Sequence, residues 1–309
     1  MDRIAETIVK VAPLFGMLAA GYFFKRRSIL GPDTVAGIKT LVAKLTLPAV
    51  VFGAFSAVRL DKAAAVTFVA IFIALAIAFG IALGLEALGG KKSPRPFLMT
   101  AFEAGMLGFP LFGILYGLDK IPRMAIADLG EIFFTFFILI PFMDIRSGGK
   151  RGLGPIFHRI VRNPVIWAVI LGLASAAFGL GGFFTGTLGG RVISTSIAFA
   201  AAPTGFLILF VVGYNLDFSR KKLGWALPTI LLRYVVMVPL LFAAKFVIGA
   251  FGGSGVDSYL ILAVTVLFIM PPSFAISIFS RGEDSEYIST TISLNTLITV
   301  ILLFALTFI

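Results

Sequence analysis

The sequence predicts an all-α integral membrane protein of ten transmembrane helices, and three observations carry that reading. Hydrophobic residues fill 59% of the 309 positions against 13% charged, with a mean hydropathy of +1.05, whereas a soluble domain is roughly 45 to 50% apolar. The apolar residues fall into ten runs of about 20 residues, the length that crosses a hydrocarbon core as a helix. The basic residues alternate between successive connections, as they do when every second loop is cytoplasmic. A β-barrel is excluded because the runs are continuously apolar and longer than the roughly ten alternating residues of a barrel strand.

The runs follow in order. The first, 4–24, carries Pro13 and an i,i+4 pair of Glu6 with Lys10, and ends at Lys25-Arg26-Arg27. It shows no small-residue cleavage site, so it reads as a retained span. The second, 35–57, holds Pro48 and two lysines, Lys39 and Lys44, that are placed to snorkel, as is Lys245 in the eighth. The third, 64–88, has Gly80 and Gly84 at GxxxG spacing, a packing face. The fourth, 97–117, and fifth, 123–143, carry Glu103, Asp128 and Glu131. The remainder are 164–182, 192–216, 224–250 with Arg233, 258–280, and 288–309 with Asn295.

Fifteen of the 26 Lys and Arg residues lie in the odd connections and six in the N-terminal tail and even ones. That asymmetry places the odd connections in the cytoplasm and both termini outside, in a plasma membrane such as the bacterial inner membrane. The net charge of +11 is therefore an orientation signal with some affinity for anionic lipid head groups, and a nucleic-acid partner is not implied. Zero cysteines and a single histidine, His158, exclude disulfides and leave no thiolate or histidine set for a metal, cofactor or catalytic triad. Gly89-Gly90-Lys91-Lys92-Ser93 lacks the glycine lead of a phosphate loop, so no nucleotide motor is visible.

Prolines mark an internal repeat. Pro13 matches Pro164, Pro48 matches Pro203 and Pro110 matches Pro271, at separations of 151, 155 and 161 residues. The chain divides into a five-helix repeat over 1–143, a basic loop over 144–163 and a second repeat over 164–309. Five is odd, so the second repeat enters from the opposite face and the repeat is inverted.

Gly105-Met106-Leu107-Gly108-Phe109-Pro110 in the fourth run and Met270-Pro271-Pro272-Ser273 in the ninth should interrupt their helices. Open backbone is tolerated in a bilayer only where protein or a wet cavity surrounds it, so matched breaks point to one central site. The half-helices starting near Pro110 and Pro272 would aim amide ends at the midplane, which suits a small carboxylate. Glu103, just before the fourth-helix break, and Asp128 with Glu131, one turn apart, describe a proton-carrying or cation-binding site, because ionising several together out of water is costly. Arg233 is a counter-ion of these acids, a partner for an anionic substrate, or half of a structural pair. Asn295 can bond an unwound carbonyl or the substrate.

At these residues the chain resembles the auxin efflux carrier family, which holds the plant PIN auxin exporters and bacterial malate/malonate-type permeases. The resemblance runs through Pro13-Leu14, Ile38 to Ala43 leading to Leu47-Pro48, Gly108-Phe109-Pro110-Leu111 with Tyr116-Gly117, Arg162-Asn163-Pro164, Arg233-Tyr234 with Pro239, and Pro271-Pro272. It implies fourth and ninth helices that cross at their breaks, an elevator-type carrier with helices 1, 2, 6 and 7 as scaffold and helices 3–5 and 8–10 moving, and a homodimer. Glu103 and Glu131 stand where PIN proteins have neutral amides. The expectation is a secondary active transporter of a small organic acid, proton-coupled through Glu103 or Glu131, and not an enzyme. Substrate would sit among Glu103, Gly108, Pro110, Glu131, Pro271, Pro272, Ser273 and Asn295; Glu103, Asp128, Glu131 and Arg233 would serve coupling. The same-class alternative is a carrier for a cation or zwitterion. A channel is disfavoured by the lack of a charged rim, and a lipid-modifying enzyme by the lack of a catalytic pair.

Overall fold

The computed structural model describes residues 2–90, 92–146, 161–217, 219, 221–274, 276 and 283–306. The side chains of Glu6 and Lys10, and most of the basic loop over 144–163 with His158, lie outside the described part. Among the described residues eleven helical elements follow one another: α1 (Asp2–Arg26), α2 (Pro32–Ser56), α3 (Lys62–Gly89), α4 (Arg95–Tyr116), α5 (Leu118–Arg146), α6 (Pro164–Ala177), the short α7 (Gly181–Gly186), α8 (Leu188–Asn215), α9 (Leu223–Phe251), α10 (Ser258–Ile269) and α11 (Glu283–Leu306). Seven of these, α2, α3, α4, α5, α8, α9 and α11, are long and apolar enough to cross a membrane; α6 and α10 are shorter apolar helices. The protein is an all-α, multi-spanning integral membrane protein.

Local sequence sets the element ends. Asp61 caps α3 by accepting the Ala64 N–H, and Gly90, at φ 69°, ends it in the left-handed region that favours glycine. Between these caps no charged residue occurs from Ala63 to Leu85. Small residues Ala70, Ala74 and Ala78 are buried on one face while Ile73, Ile77 and Ile81 stay exposed on another, the division expected of a helix with protein on one side and lipid on the other. Asp257 caps α10 from the Leu260 N–H and pairs with Arg123 at 2.5 Å. Prolines sit where they cost least. Pro48 lies in the first turn after the π turn at Val42–Thr46 inside α2, and Pro203 immediately precedes the helix that resumes at Thr204 in α8.

Glycines decide which helices touch closely. A Cβ on Gly21 would lie 2.1 Å from the Phe210 carbonyl oxygen, and one on Gly213 2.1 Å from that of Leu18, so α1 and the second half of α8 meet backbone to backbone. Gly172 of α6 packs in the same manner on Phe52 and Phe55 of α2, and Gly130 of α5 on Phe68 and Phe72 of α3. Without a hydrophobic drive between helices in lipid, this close approach supplies the dispersion that holds them. The GxxxG pair at Gly80 and Gly84 does not take part. Both are exposed, and a Cβ at either would meet nothing within 4 Å. Spacing alone could not show which face of α3 has a neighbour.

Two groups of helices result. In one, α1 packs on α8 and α6 on α2; in the other, α3 contacts α5 and α9, α9 contacts α11, and α10 lies against α5. Gly213→Leu should therefore lower the thermal unfolding midpoint in detergent by several degrees through overpacking on the order of 1–3 kcal/mol. Gly16→Leu, at a position with nothing within 4 Å, should leave the midpoint almost unchanged.

Candidate functional site

Two non-helical stretches meet at the centre of the second group. α4 loses its helix after Met99, passes through Thr100 to Glu103, and resumes as a π turn at Ala104–Gly108 leading to Phe109–Tyr116. α10 ends at Ile269, and Met270 to Ser273 are non-helical. The fourth-helix interruption thus lies upstream of the Gly105 to Pro110 motif, because Pro110 occupies the first turn of the resumed helix, where proline starts a helix rather than breaking one. The half-helix expected to begin near Pro272 falls largely outside the described residues. The Glu103 N–H donates to the Pro271 carbonyl at 2.9 Å, joining the two interruptions directly.

Arg233 closes this junction. Its Nη1 donates to the carbonyls of Leu98 at 3.0 Å and Thr100 at 3.2 Å, and its Nη2 to Ala101 at 2.9 Å and Met270 at 3.0 Å. The guanidinium is 1% exposed and lies 5.2 Å over the Phe102 ring. An arginine at the helix centre costs on the order of 2.5–3.5 kcal/mol to insert. Four hydrogen bonds from a charged donor, each worth about 1.5–3 kcal/mol, outweigh that, and they satisfy carbonyls that the broken helices leave without donors. Arg233 therefore serves the backbone. Of the roles the sequence left open for Arg233, these contacts support a structural one, with backbone carbonyls as its partners.

Glu103 is held as firmly. Its Oε1 accepts the Met106 N–H at 3.0 Å and its Oε2 the Phe274 N–H at 2.6 Å, with Ser273 beside it. Met106 opens the resumed part of α4, and Phe274 follows the Pro271-Pro272 interruption. The amide ends expected to receive a substrate carboxylate thus already hold the protein's own. Glu131 accepts the Thr135 hydroxyl at 2.7 Å and the Phe102 N–H at 3.4 Å. Asp128, one turn earlier, is buried, at 3% exposed. Asn295 is fully buried and accepts the Tyr234 hydroxyl at 2.9 Å, and Thr299, a turn further along α11, donates to the Ile269 carbonyl at 2.6 Å.

A cavity of about 210 Å³ adjoins the junction, lined by Lys39 of α2, Asn215 at the end of α8, Met106 and Phe274 from the two interruptions, and Ser293 and Thr296 of α11. Lys39 is the sole charged residue among its lining residues. Its half-buried ammonium was expected to snorkel; it borders this cavity instead. A second cavity, about 700 Å³, lies at the opposite ends of α2 and α8, between Phe52, Phe184, Ala198 and the Phe109-Pro110 turn. It is predominantly apolar, with Asp119 at its margin.

The structure brings together Glu103, Pro271, Ser273 and, through Phe102, Glu131 and Arg233. Pro110 borders the apolar cavity rather than the polar one, Gly108 packs on Met124, and Asn295 lies off both linings. Asn215, Ser293 and Thr296 escaped the sequence reading, and Lys39 was noted only as a lysine about one turn inside an apolar run.

The chain is similar to known membrane transporters. A family profile described as membrane transport protein matches residues 6–143. A protein of Methanothermobacter thermautotrophicus described as an uncharacterized transporter is 24% identical over 310 aligned residues, covering 96% of this chain and 95% of its own length.

Substituting Arg233→Met leaves four buried carbonyls without their donor, a loss on the order of 3 kcal/mol or more. The expected outcome is aggregation on size-exclusion chromatography in detergent, with Arg233→Lys intermediate. A monodisperse Arg233→Met protein that had lost only ligand binding would restore the substrate role.

Proposed function

We propose that this chain, whose residues 6–143 match a membrane transport protein profile, is a membrane-embedded secondary transporter that carries a small organic acid. One observation supports the substrate class above others: the polar cavity of about 210 Å³ beside the junction contains one charged lining residue, and that residue is Lys39. In a low-dielectric site an ammonium favours an anion. The cavity suits a compact carboxylate, whose other oxygens can bond Ser293, Thr296 and Asn215. The proposed binding position differs from the one expected at the amide ends, since Glu103 fills those.

The pattern of contacts agrees with two inverted five-helix repeats over 1–143 and 164–309, linked by the basic loop over 144–163. The first helix packs on the seventh span as the sixth packs on the second, and the third and eighth spans each pack on the last span of their own half. Pro48 and Pro203 reset the second and seventh spans alike. In the elevator reading, α1, α2, α6 and α8 form the scaffold and the remainder moves. The two cavities lie along the boundary between these groups at opposite ends of α2 and α8, where a sliding site would need room. A homodimer, termini outside and a cytoplasmic central loop complete the proposal.

A second reading is favoured by Glu103, whose carboxylate lies close enough to Lys39 to interact with it. The pair could hold the two ends of a zwitterion. Purified protein in detergent should show a raised unfolding midpoint with small carboxylates such as malonate. Lys39→Met should weaken that binding at least tenfold, about 1.4 kcal/mol. A larger rise with amino acids than with carboxylates would select the zwitterion, and no response to either would remove both.

A further inference from the structure

Three acids lie within the spans near the junction, and they are not equally placed. Both oxygens of Glu103 accept backbone amides, and Glu131 accepts a hydroxyl and an amide. Asp128 differs: it is 3% exposed, and its Oδ1 is buried with no hydrogen-bond partner among the described residues. A carboxylate charge taken out of water without donors is among the costliest placements in a protein, and a single proton removes that cost.

The surroundings offer no cation in place of the proton. α5 packs against α3, α10, the second half of α2 and the resumed half of α4. From Ala63 to Leu85 of α3, over Ser258–Ile269 of α10, over Leu47–Ser56 of α2 and over Phe109–Tyr116 of α4 there is no charged residue. The charged groups that act on Asp128 are Glu131 on its own helix and Glu103 ahead of the resumed α4, both acids. Arg233, the nearest buried base in the chain of contacts, is already committed to four carbonyls. Among the described residues no cluster of three or more Asp, Glu, His or Cys side chains is arranged to hold a metal ion. Asp128 also sits six residues below Pro122, a lining residue of the larger cavity, which is about 9 Å of helix rise.

From this geometry we infer that Asp128, rather than Glu103 or Glu131, carries the proton that accompanies transport. Glu103 and Glu131 are fixed acceptors that hold the broken backbone, and Asp128 is the acid free to gain and lose a proton as its surroundings change. The inference rests on the transport reading above, and its first test needs no substrate. Infrared difference spectra of the purified protein in lipid, recorded between acid and alkaline pH, should contain the carbonyl stretch of a neutral carboxyl. Asp128→Asn should abolish that band, Asp128→Glu should keep it at a shifted position, and Glu103→Gln and Glu131→Gln should leave it in place. Absence of the band in the unaltered protein, its survival in Asp128→Asn, or its removal by sodium chloride at constant pH would overturn the inference.

The second test uses proteoliposomes with radiolabelled malonate outside and a pH-sensitive dye inside. Malonate entry should move protons in the unaltered protein, and in Asp128→Asn malonate exchange should persist while the proton signal falls at least tenfold. Malonate entry without proton movement, or proton movement that survives Asp128→Asn, counts against Asp128. If malonate does not move at all, the choice of substrate class fails, while the infrared spectra still decide the protonation of Asp128.

Discussion

In a bilayer every backbone polar group must find a partner inside the protein, and here the guanidinium of Arg233 meets that requirement where two helices break. Interrupting α4 and α10 strips carbonyls of their helical donors, and lipid supplies none. Four of them, from Leu98, Thr100, Ala101 and Met270, converge on one side chain of α9. Lysine could not reproduce this, since only the planar fork presents donors in the directions the carbonyls require. The acids then complete the donor side of the same problem: Glu103 takes the amides of Met106 and Phe274, and Glu131 the amide of Phe102. The junction is a hydrogen-bonded network in which Arg233, Glu103 and Glu131 each serve the backbone.

That network explains why the proposed substrate site lies beside the interruptions and not on them. The positive ends of the half-helices are neutralised internally by Glu103, so the field left for a ligand comes from Lys39 on α2. Lys39 belongs to the helix group built from α1, α2, α6 and α8, whereas Met106, Phe274, Ser293 and Thr296 belong to the other. A ligand in the cavity would bridge the two groups. Binding there can bias the position of one group against the other, because contact with both is complete in only one arrangement.

The legible part of this site was the part carried by covalent chemistry. Glycine and proline announce which helix loses its ladder, though in α4 the break falls at Thr100 to Glu103, upstream of the Gly105 to Pro110 motif; an acid inside an apolar run announces itself by its cost, so the interrupted helices and the buried acids Glu103, Asp128 and Glu131 could be found in the sequence. Their roles could not. Asp128 and Glu131 are three residues apart on one helix and look alike in sequence, yet one has partners and the other an unpaired oxygen. Lys39 and Lys44 likewise look equivalent, and only Lys39 borders a cavity while Lys44 is exposed. Gly80 and Gly84 match a packing motif but face outward, whereas Gly21 and Gly213, which carry no such motif together, bring two helices backbone to backbone.

By itself the sequence determined that the chain lives in a membrane, where its helices run and which of them are interrupted, because hydropathy, proline and glycine act locally along the chain. Tertiary structure alone decided what satisfies the interruptions and what is left over. Arg233 is 132 residues from Ala101 and 37 from Met270, and Glu103 is 171 residues from Phe274. Hydrogen bonds act over about 3 Å, so which donor meets which carbonyl is settled only when separate helices are brought together.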